Sequence, residues 1–469
     1  MGTSSYMIPR ILIAGANSGC GKTTITCAIL KVLIDRKFAV QSYKCGPDYI
    51  DPMLHTHITK TESRNLDPFF LDSKELEQVF IKDAKKAEIA VIEGVMGFYD
   101  GIGMTKKAST HSVAEATKTP VILVMNVKGM ANTIIPLLKG LKEYNFGDNQ
   151  IKGVILNCCT KGLHDMIKPL IEEELGIMVC GYFPVNEKIV IKSRHLGLMT
   201  AEEIGNLDEI VEELGKVASE TIDFEQILML AKSAYVLEDE AQIPSEIVAV
   251  REELGEQQVK IAVAKDKAFC FYYRENLDVL EQMGAKLCYF SPIKDKKLPE
   301  GISGIYLGGG YPEAYARELS ENKKMQREIL RAYNLEIPII GECGGFMYLC
   351  KELIDTKGEI FSMAGLVDAR VFMTPKLNMQ FGYVTATALE DTNFVEEGMK
   401  IRTHEFHYSK GEPVGEIFEM EKLSGKKWNG VYGDKYLMAG YPHWYFRNCL
   451  PMVANFVRAC KKAPKIGKK

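Results

Sequence analysis

Short, almost unbroken apolar runs punctuate the first half of the chain, each a helix-length stretch from the next. They are "RILIAG" (10–15), "FAVQSY" (38–43), "IAVIEG" (89–94), "PVILVMN" (120–126), "IKGVILN" (151–157) and "IMVCGYFP" (177–184). Runs without polar alternation suit strands covered on both faces, and their spacing predicts right-handed β-α-β crossovers in a mostly parallel sheet. From about 200 to 256 the text turns acidic and helical, and the next strand-like run is "EIVAV" (246–250). A second alternating series follows: "VKIAVAKD" (259–266), "AKLCYFSP" (285–292), "GIYLGGG" (304–310) and "IPIIGEC" (337–343). It predicts a second α/β sheet rather than a continuation of the first. The domains expected are residues 1–235, a linker at 236–257, and residues 258–450. A helix end with a basic tail, 451–469, closes the chain.

Composition narrows the function. With 58 basic and 62 acidic side chains in 469 residues the formal net charge is −4, which gives no reason to expect a nucleic-acid partner. Twelve cysteines are scattered without a C-x-x-C pair, which argues against zinc or iron–sulfur frameworks and for reduced thiols. No apolar run reaches the roughly 18 residues of a membrane span, and the N-terminus lacks a signal-peptide core. A cytoplasmic enzyme without membrane contact is the expectation.

The first candidate site is "ILIAGANSGCGKTT" (11–24), which runs strand, glycine-rich loop, helix. Ala16 stands where the usual G-x-x-x-x-G-K-[ST] pattern has glycine. Counting from Gly15 leaves five residues before Gly21, a longer loop that resembles those of dethiobiotin synthetase and the partitioning ATPases. Gly15, Asn17, Gly19, Gly21 and Thr24 would line a phosphate cradle, because glycines let backbone N–H groups crowd around phosphate oxygens at a helix N-terminus. Lys22 would reach the outer phosphates of ATP and the Thr23 hydroxyl would ligate Mg²⁺. Two acidic segments end strands nearby: "YKCGPDYIDP" (43–52), with Lys44, Asp48 and Asp51, and "IEGVMGFYDG" (92–101), with Glu93 and Asp100. Carboxylates there can hold Mg²⁺ opposite Thr23, Glu93 and Asp48 being the candidates. Lys44 could neutralise a transferred phosphate or could be a surface lysine.

The second candidate is "GECGGFMYL" (341–349), where Cys343 lies between small residues on a strand-to-helix turn. That is the setting of a nucleophile elbow, in which a helix N-terminus would favour thiolate. Backbone N–H groups of Gly309, Gly310 and Gly344 would form an oxyanion hole, and His443 in "AGYPHWYF" is the natural base. "HEFH" (404–407) is not the H-E-x-x-H of a zinc helix, so a metal there is disfavoured.

Eight segments together carry a specific resemblance over nearly the full length: "GANSGCGKTT", "KCGPDYIDPMLHT", "SRNLDPF" (63–69), "EGVMGFYDG", "SRHLGL" (193–198), "GGGYPE" (308–313), "GECGGFMYL" and "THEFHYS" (403–409). The chain resembles the cobyrinate a,c-diamide synthase family, glutamine-dependent amidotransferases of corrinoid biosynthesis. The resemblance implies an N-terminal P-loop domain similar to dethiobiotin synthetase and a C-terminal class I glutaminase. It implies cobyrinate, L-glutamine and ATP as substrates, Mg²⁺ as cofactor, and leaves a homodimer open. The Cys343 thiol would form a γ-glutamyl thioester and release ammonia. Meanwhile ATP would activate a macrocycle carboxylate, with Asp48 and Asp100 near the reacting groups. Asn157 resembles an adenine-reading asparagine. One departure concerns the class I pattern Pro-x-His-x-Glu, where Tyr445 takes the Glu position. That leaves a Cys–His dyad without its usual orienting acid. The alternatives are the same chemistry on Ni-sirohydrochlorin, amidation of other corrinoid side chains, or a partitioning-type ATPase or glutamine sensor that does not amidate.

Overall fold

All six apolar runs of the first half are strands, and they lie in one sheet. The structure, a computed structural model, describes residues 4–144, 150–186, 189, 193–194, 197–198, 204–239, 243–376 and 380–467. In "SRHLGL" residues 195 and 196 lie outside them. Strands β1 (Arg10–Gly15), β2 (Val40–Cys45), β3 (Arg64–Leu66), β4 (Ile89–Glu93), β5 (Val121–Asn126), β6 (Ile151–Asn157) and β7 (Met178–Phe183) build a seven-stranded sheet. Its order is β3-β2-β4-β1-β5-β6-β7, and every neighbouring pair is parallel. β1 and β2 are buried at every position, as strands between two helical layers must be. The short edge strand β3, "RNL", has no apolar run to announce it.

This sheet belongs to a compact unit, Met1–Ala241, and a second unit spans Gln242–Lys469. Segment 236–257, expected as a linker, contains a short strand, Leu237–Asp239, and a helix, Ser245–Leu254. The helix corrects the strand reading of "EIVAV": Ile247, Val250 and Leu254 are its buried residues, one face of a helical period rather than a continuous strand.

In the second unit β8 (Val259–Ala264), β9 (Ala285–Phe290), β10 (Gly304–Leu307), β11 (Ile339–Glu342), β12 (Tyr432–Gly433) and β13 (Leu437–Gly440) form a sheet in the order β9-β8-β10-β11-β13-β12. All pairs are parallel except the edge pair β12–β13. Two further, largely antiparallel sheets of four and five strands draw their strands from between Cys350 and Trp444, around β12 and β13. The α/β expectation did not include them. Their signal is alternation: in "GYVTATA" (382–388) Val384, Ala386 and Ala388 are buried and the residues between are not. The five-stranded sheet matters for function because its strand Lys400–Glu405 pairs with His443–Trp444, placing His404 opposite His443. All twelve cysteines are free. Among the described residues no helix is long and apolar enough to cross a membrane.

Close approach sets the seat of the short helix α3 (Gly344–Leu349) on this sheet. A Cβ on Gly345 would lie 2.2 Å from the Leu307 carbonyl oxygen at the end of β10. Gly345→Ala should therefore destabilise the second unit by about 1–3 kcal/mol and lower glutamine use, with nucleotide binding by the first unit unchanged. Urea unfolding and a nucleotide-binding titration check this.

Candidate active sites

The phosphate loop lies between β1 and helix α1 (Lys22–Asp35). Gly21 has φ +100°, and a Cβ there would fall 2.2 Å from Asn157 Nδ2, so only glycine fits. Asn157, at the end of β6, supports the loop from below. Its Nδ2 donates to the Cys20 carbonyl at 2.8 Å and its Oδ1 accepts the Cys158 N–H at 2.9 Å. Both ends of the side chain expected to read adenine are thus engaged within the protein. Lys22 folds back over the loop, its Nζ donating to the Met96 carbonyl at 2.6 Å and the Asn17 carbonyl at 3.4 Å.

Beside the loop lies a buried charge cluster. Register pairs Lys44 of β2 with Glu93 of β4, and Lys44 Nζ sits 2.9 Å from Glu93 Oε1 and 2.5 Å from Asp51 Oδ2. Lys44 is therefore not a surface lysine, and its ammonium is committed to two carboxylates. The Thr23 hydroxyl is 2.6 Å from Glu93 Oε1 and 3.3 Å from Asp51 Oδ2, and His55 Nε2 is 2.7 Å from Glu93 Oε2. Burial, then the charge of Glu93, pushes Asp51 well above the usual carboxylate range. Burial also opposes charge on Glu93, yet Lys44, His55 and Thr23 outweigh it and hold Glu93 well below that range. Two buried acids thus share one lysine, and burial opposes charge on Asp51 more than its neighbours support it. Two carboxylates converging on one hydroxyl beside a phosphate loop suit a divalent cation such as Mg²⁺, which commonly takes one or two carboxylates and completes its shell with phosphate and water.

Asp51, named with its acidic segment but not among the expected ligands, and His55, not named at all, are legible as a pair. They lie four residues apart on helix α2 (Ile50–Thr59) and so share a face. Asp48 stands just before α2, and its Oδ1 accepts the N–H groups of Ile50 at 2.8 Å and Asp51 at 3.3 Å. Asp100 is exposed, and its Oδ2 accepts the Gly97 N–H at 2.9 Å. Each of these aspartates closes a turn.

In the second unit Cys343 caps α3 with φ 45° and ψ −99°, the strained left-handed turn expected of an elbow. Its N–H donates to the Gly440 carbonyl at 2.7 Å, and its own carbonyl accepts from Met347 at 2.9 Å. The Gly308–Gly310 segment packs against the turn: a Cβ on Gly344 would sit 3.0 Å from Gly310 N. The helix end does not yield the lowered thiol pKa expected from sequence. Cys343 is 6% exposed, and burial, then the charge of Glu313, pushes the thiol up against the Gly344 N–H.

His443 is likewise buried. A Cβ on Gly309 would fall 2.5 Å from its Cε1, so the ring lies directly against the glycine segment. It stacks on His404 with centroids 4.9 Å apart, and Thr403 Oγ1 donates to its carbonyl at 2.5 Å. Burial, then His404 and His407, lowers the His443 pKa well below the ordinary imidazole range. Its Nδ1 lies 3.9 Å from Oε2 of Glu342, a residue sequence reasoning passed over. Tyr445 is turned away, its ring edge-on to Tyr273 at 5.1 Å. His407 stacks on Tyr441 at 3.6 Å, with Nδ1 2.8 Å from the Ser409 carbonyl. The two histidines of "HEFH" therefore have different partners. Among the described residues no group of three or more His, Cys, Asp or Glu side chains is placed to hold a metal.

Both halves match family models. Residues 11–197 match the CobQ/CobB/MinD/ParA nucleotide binding domain and residues 260–450 the CobB/CobQ-like glutamine amidotransferase domain. A cobyrinate a,c-diamide synthase of Caldanaerobacter subterraneus is 40% identical over 96% of this chain and 98% of its own. The chain belongs to the cobyrinate a,c-diamide synthase family. Proteins of the same name from Priestia megaterium, 37% identical over 97% of this chain and 98% of theirs, and from Listeria innocua, 40% identical over 93% and 96%, agree. Membership makes the chain a carbon–nitrogen ligase with a P-loop nucleotide-binding half and a glutamine amidotransferase half.

The charge cluster makes a stability prediction. Lys44→Met leaves Asp51 and Glu93 buried without their shared cation, which should cost about 3–5 kcal/mol at pH 8. Without Lys44 both carboxyls titrate higher in the folded than in the unfolded state, so the penalty is largest at alkaline pH and shrinks as pH falls towards 5. Urea unfolding at both pH values checks it.

Proposed function

We propose that the chain amidates the a and c side-chain carboxylates of cobyrinate, with ATP activating each carboxylate as an acyl phosphate and glutamine supplying ammonia. The observation that carries this reading is one chain holding a phosphate loop beside a buried acid pair, and a strained cysteine turn and a buried histidine against one glycine segment. Relatives that share nearly its whole length bear the name of that reaction.

In the glutaminase half the Cys343 sulfur attacks the glutamine side-chain carbonyl carbon while His443 takes the thiol proton. The oxyanion that forms is met by the N–H groups of Gly309, Gly310 and Gly344. His443 returns the proton to the departing ammonia, leaving a thioester, and then deprotonates the water that hydrolyses it. In the synthetase half the loop N–H groups and Lys22 hold the phosphates. Thr23, Glu93 and Asp51 would hold Mg²⁺, with Asp48 just before the helix that carries Asp51. Bound there, Mg²⁺ offsets the phosphate charge that would otherwise repel the substrate carboxylate. Ammonia then attacks the activated carbonyl and phosphate leaves.

Cys343→Ala should abolish glutamine-driven synthesis yet keep synthesis with concentrated ammonia, whereas Lys22→Ala should lose both. Mass spectrometry of cobyrinate incubated with ATP and either nitrogen source reads this as two successive losses of about one mass unit. Ni-sirohydrochlorin in a parallel tube tests the other macrocycle, and amidation of that compound alone would overturn the choice of substrate. Equal loss of both nitrogen sources in Cys343→Ala would overturn the division of labour.

A Mg²⁺ titration separates the acids. Glu93→Gln and Asp51→Asn should raise the Mg²⁺ needed for half-maximal synthesis by about tenfold or more. Asp48→Asn and Asp100→Asn should lower turnover without that shift, and rescue of both by extra Mg²⁺ would reverse these roles.

A further inference from the structure

We propose that Glu342, the residue immediately before the nucleophile, is the positioning residue of the glutaminase centre, its carboxylate answering the charge that forms on His443 when the ring accepts the Cys343 proton. The proposal rests on the glutaminase reading above and supplies the acid that reading lacks.

Glu342 ends β11 and is 1% exposed, against 2% for His443. Its Oε1 accepts the Tyr306 hydroxyl at 3.1 Å, and the Trp444 backbone N–H also reaches the carboxylate. Its Oε2 is the atom 3.9 Å from His443 Nδ1. That distance is longer than a hydrogen bond but within ion-pair reach once His443 is protonated, and catalytic contacts of this kind tighten when substrate and charge arrive. With Nδ1 turned to Glu342, the other ring nitrogen, Nε2, is left for the thiol. The route of the pair is short in the fold: Glu342 registers with Gly440 of β13, and His443 follows three residues later.

The chemistry requires such a partner. Transfer of the Cys343 proton creates an imidazolium on a buried ring, where an uncompensated charge is costly. His404 and His407 face His443 and oppose that charge. On the other side Tyr306, Tyr272 and Cys449 face Glu342, and none of them brings a positive charge. Burial pushes Glu342 up and His443 down, so neither charge is favourable alone, and pairing across the 3.9 Å contact would relieve both. Tyr445, at the position that carries the orienting acid in the wider class, is wholly buried and packed on Tyr273.

The test is Glu342→Gln, which can keep the Tyr306 contact and removes the charge. Expected are a fall of about 10²-fold in kcat for glutamine hydrolysis with KM changed less than about twofold, and ammonia-dependent synthesis at the wild-type rate. The acid limb of the kcat/KM profile should move about one unit towards acid, because the His443 base loses the carboxylate that favours its protonated form. Glu342→Asp should restore part of the rate. A Glu342→Gln variant with wild-type hydrolysis and pH profile, or one that loses ammonia-dependent synthesis equally, overturns the proposal. Cys343→Ala run beside it separates the two readings. If it hydrolyses glutamine normally, the glutaminase assignment falls and this one with it. If it is inactive while Glu342→Gln is normal, only the role of Glu342 falls.

Discussion

One ammonium, that of Lys44, lets two carboxylates stay inside the first unit. Like charges about 4 Å apart repel by roughly 4 kcal/mol at a near-surface dielectric, and by more in a drier interior. Strand register brings Lys44 and Glu93 together, and the first turn of α2 brings Asp51. The same arrangement aims Thr23, the second residue of α1, at the acids from the phosphate loop. The loop, the adjoining strand ends and α2 are therefore fixed by one electrostatic requirement. One lysine against two acids leaves that requirement incompletely met, which fits the proposal that a cation and phosphates bind here together.

The second unit solves a different problem with the same placement. Its reactive side chains also sit where parallel strands end, Cys343 after β11 and the glycine segment after β10. Here burial opposes charge on both groups, raising the thiol and lowering the imidazole. The strain of φ 45° at Cys343 is borne by the Gly440 carbonyl on one side and the seating of α3 on the other.

Most of this was legible where one residue type has one physical use. Gly21 could be read because nothing else fits against Asn157, and the parallel strands because runs such as "RILIAG" have no polar face to expose. Cys343 stood out through its small neighbours. What stayed hidden depended on pairing across the chain. Asp48 is nearer than Asp51 to the strand end, but only the helix phase of α2 shows which of them turns towards Lys44. Alternation in "GYVTATA" was visible, yet it was the partner strand, Lys400–Glu405, that carried His404 under His443. "EIVAV" misled because five apolar-rich residues do not distinguish a strand from one face of a helix.

The position of the orienting acid changes what the fold must hold still. When the acid follows the histidine by two residues, acid and base move as one piece and the nucleophile must be brought to them. With Glu342 in that role, acid and nucleophile are consecutive residues at one strand end, so their separation is set by covalent geometry. The imidazole is then the piece to be placed. His443 is held by backbone pairing to His404, by the Thr403 hydroxyl on its carbonyl and by the Gly309 face against its ring. These contacts come from the added antiparallel sheet and from the end of β10. The five-stranded sheet that the α/β pattern did not announce is thus the element that places His443, the proposed base.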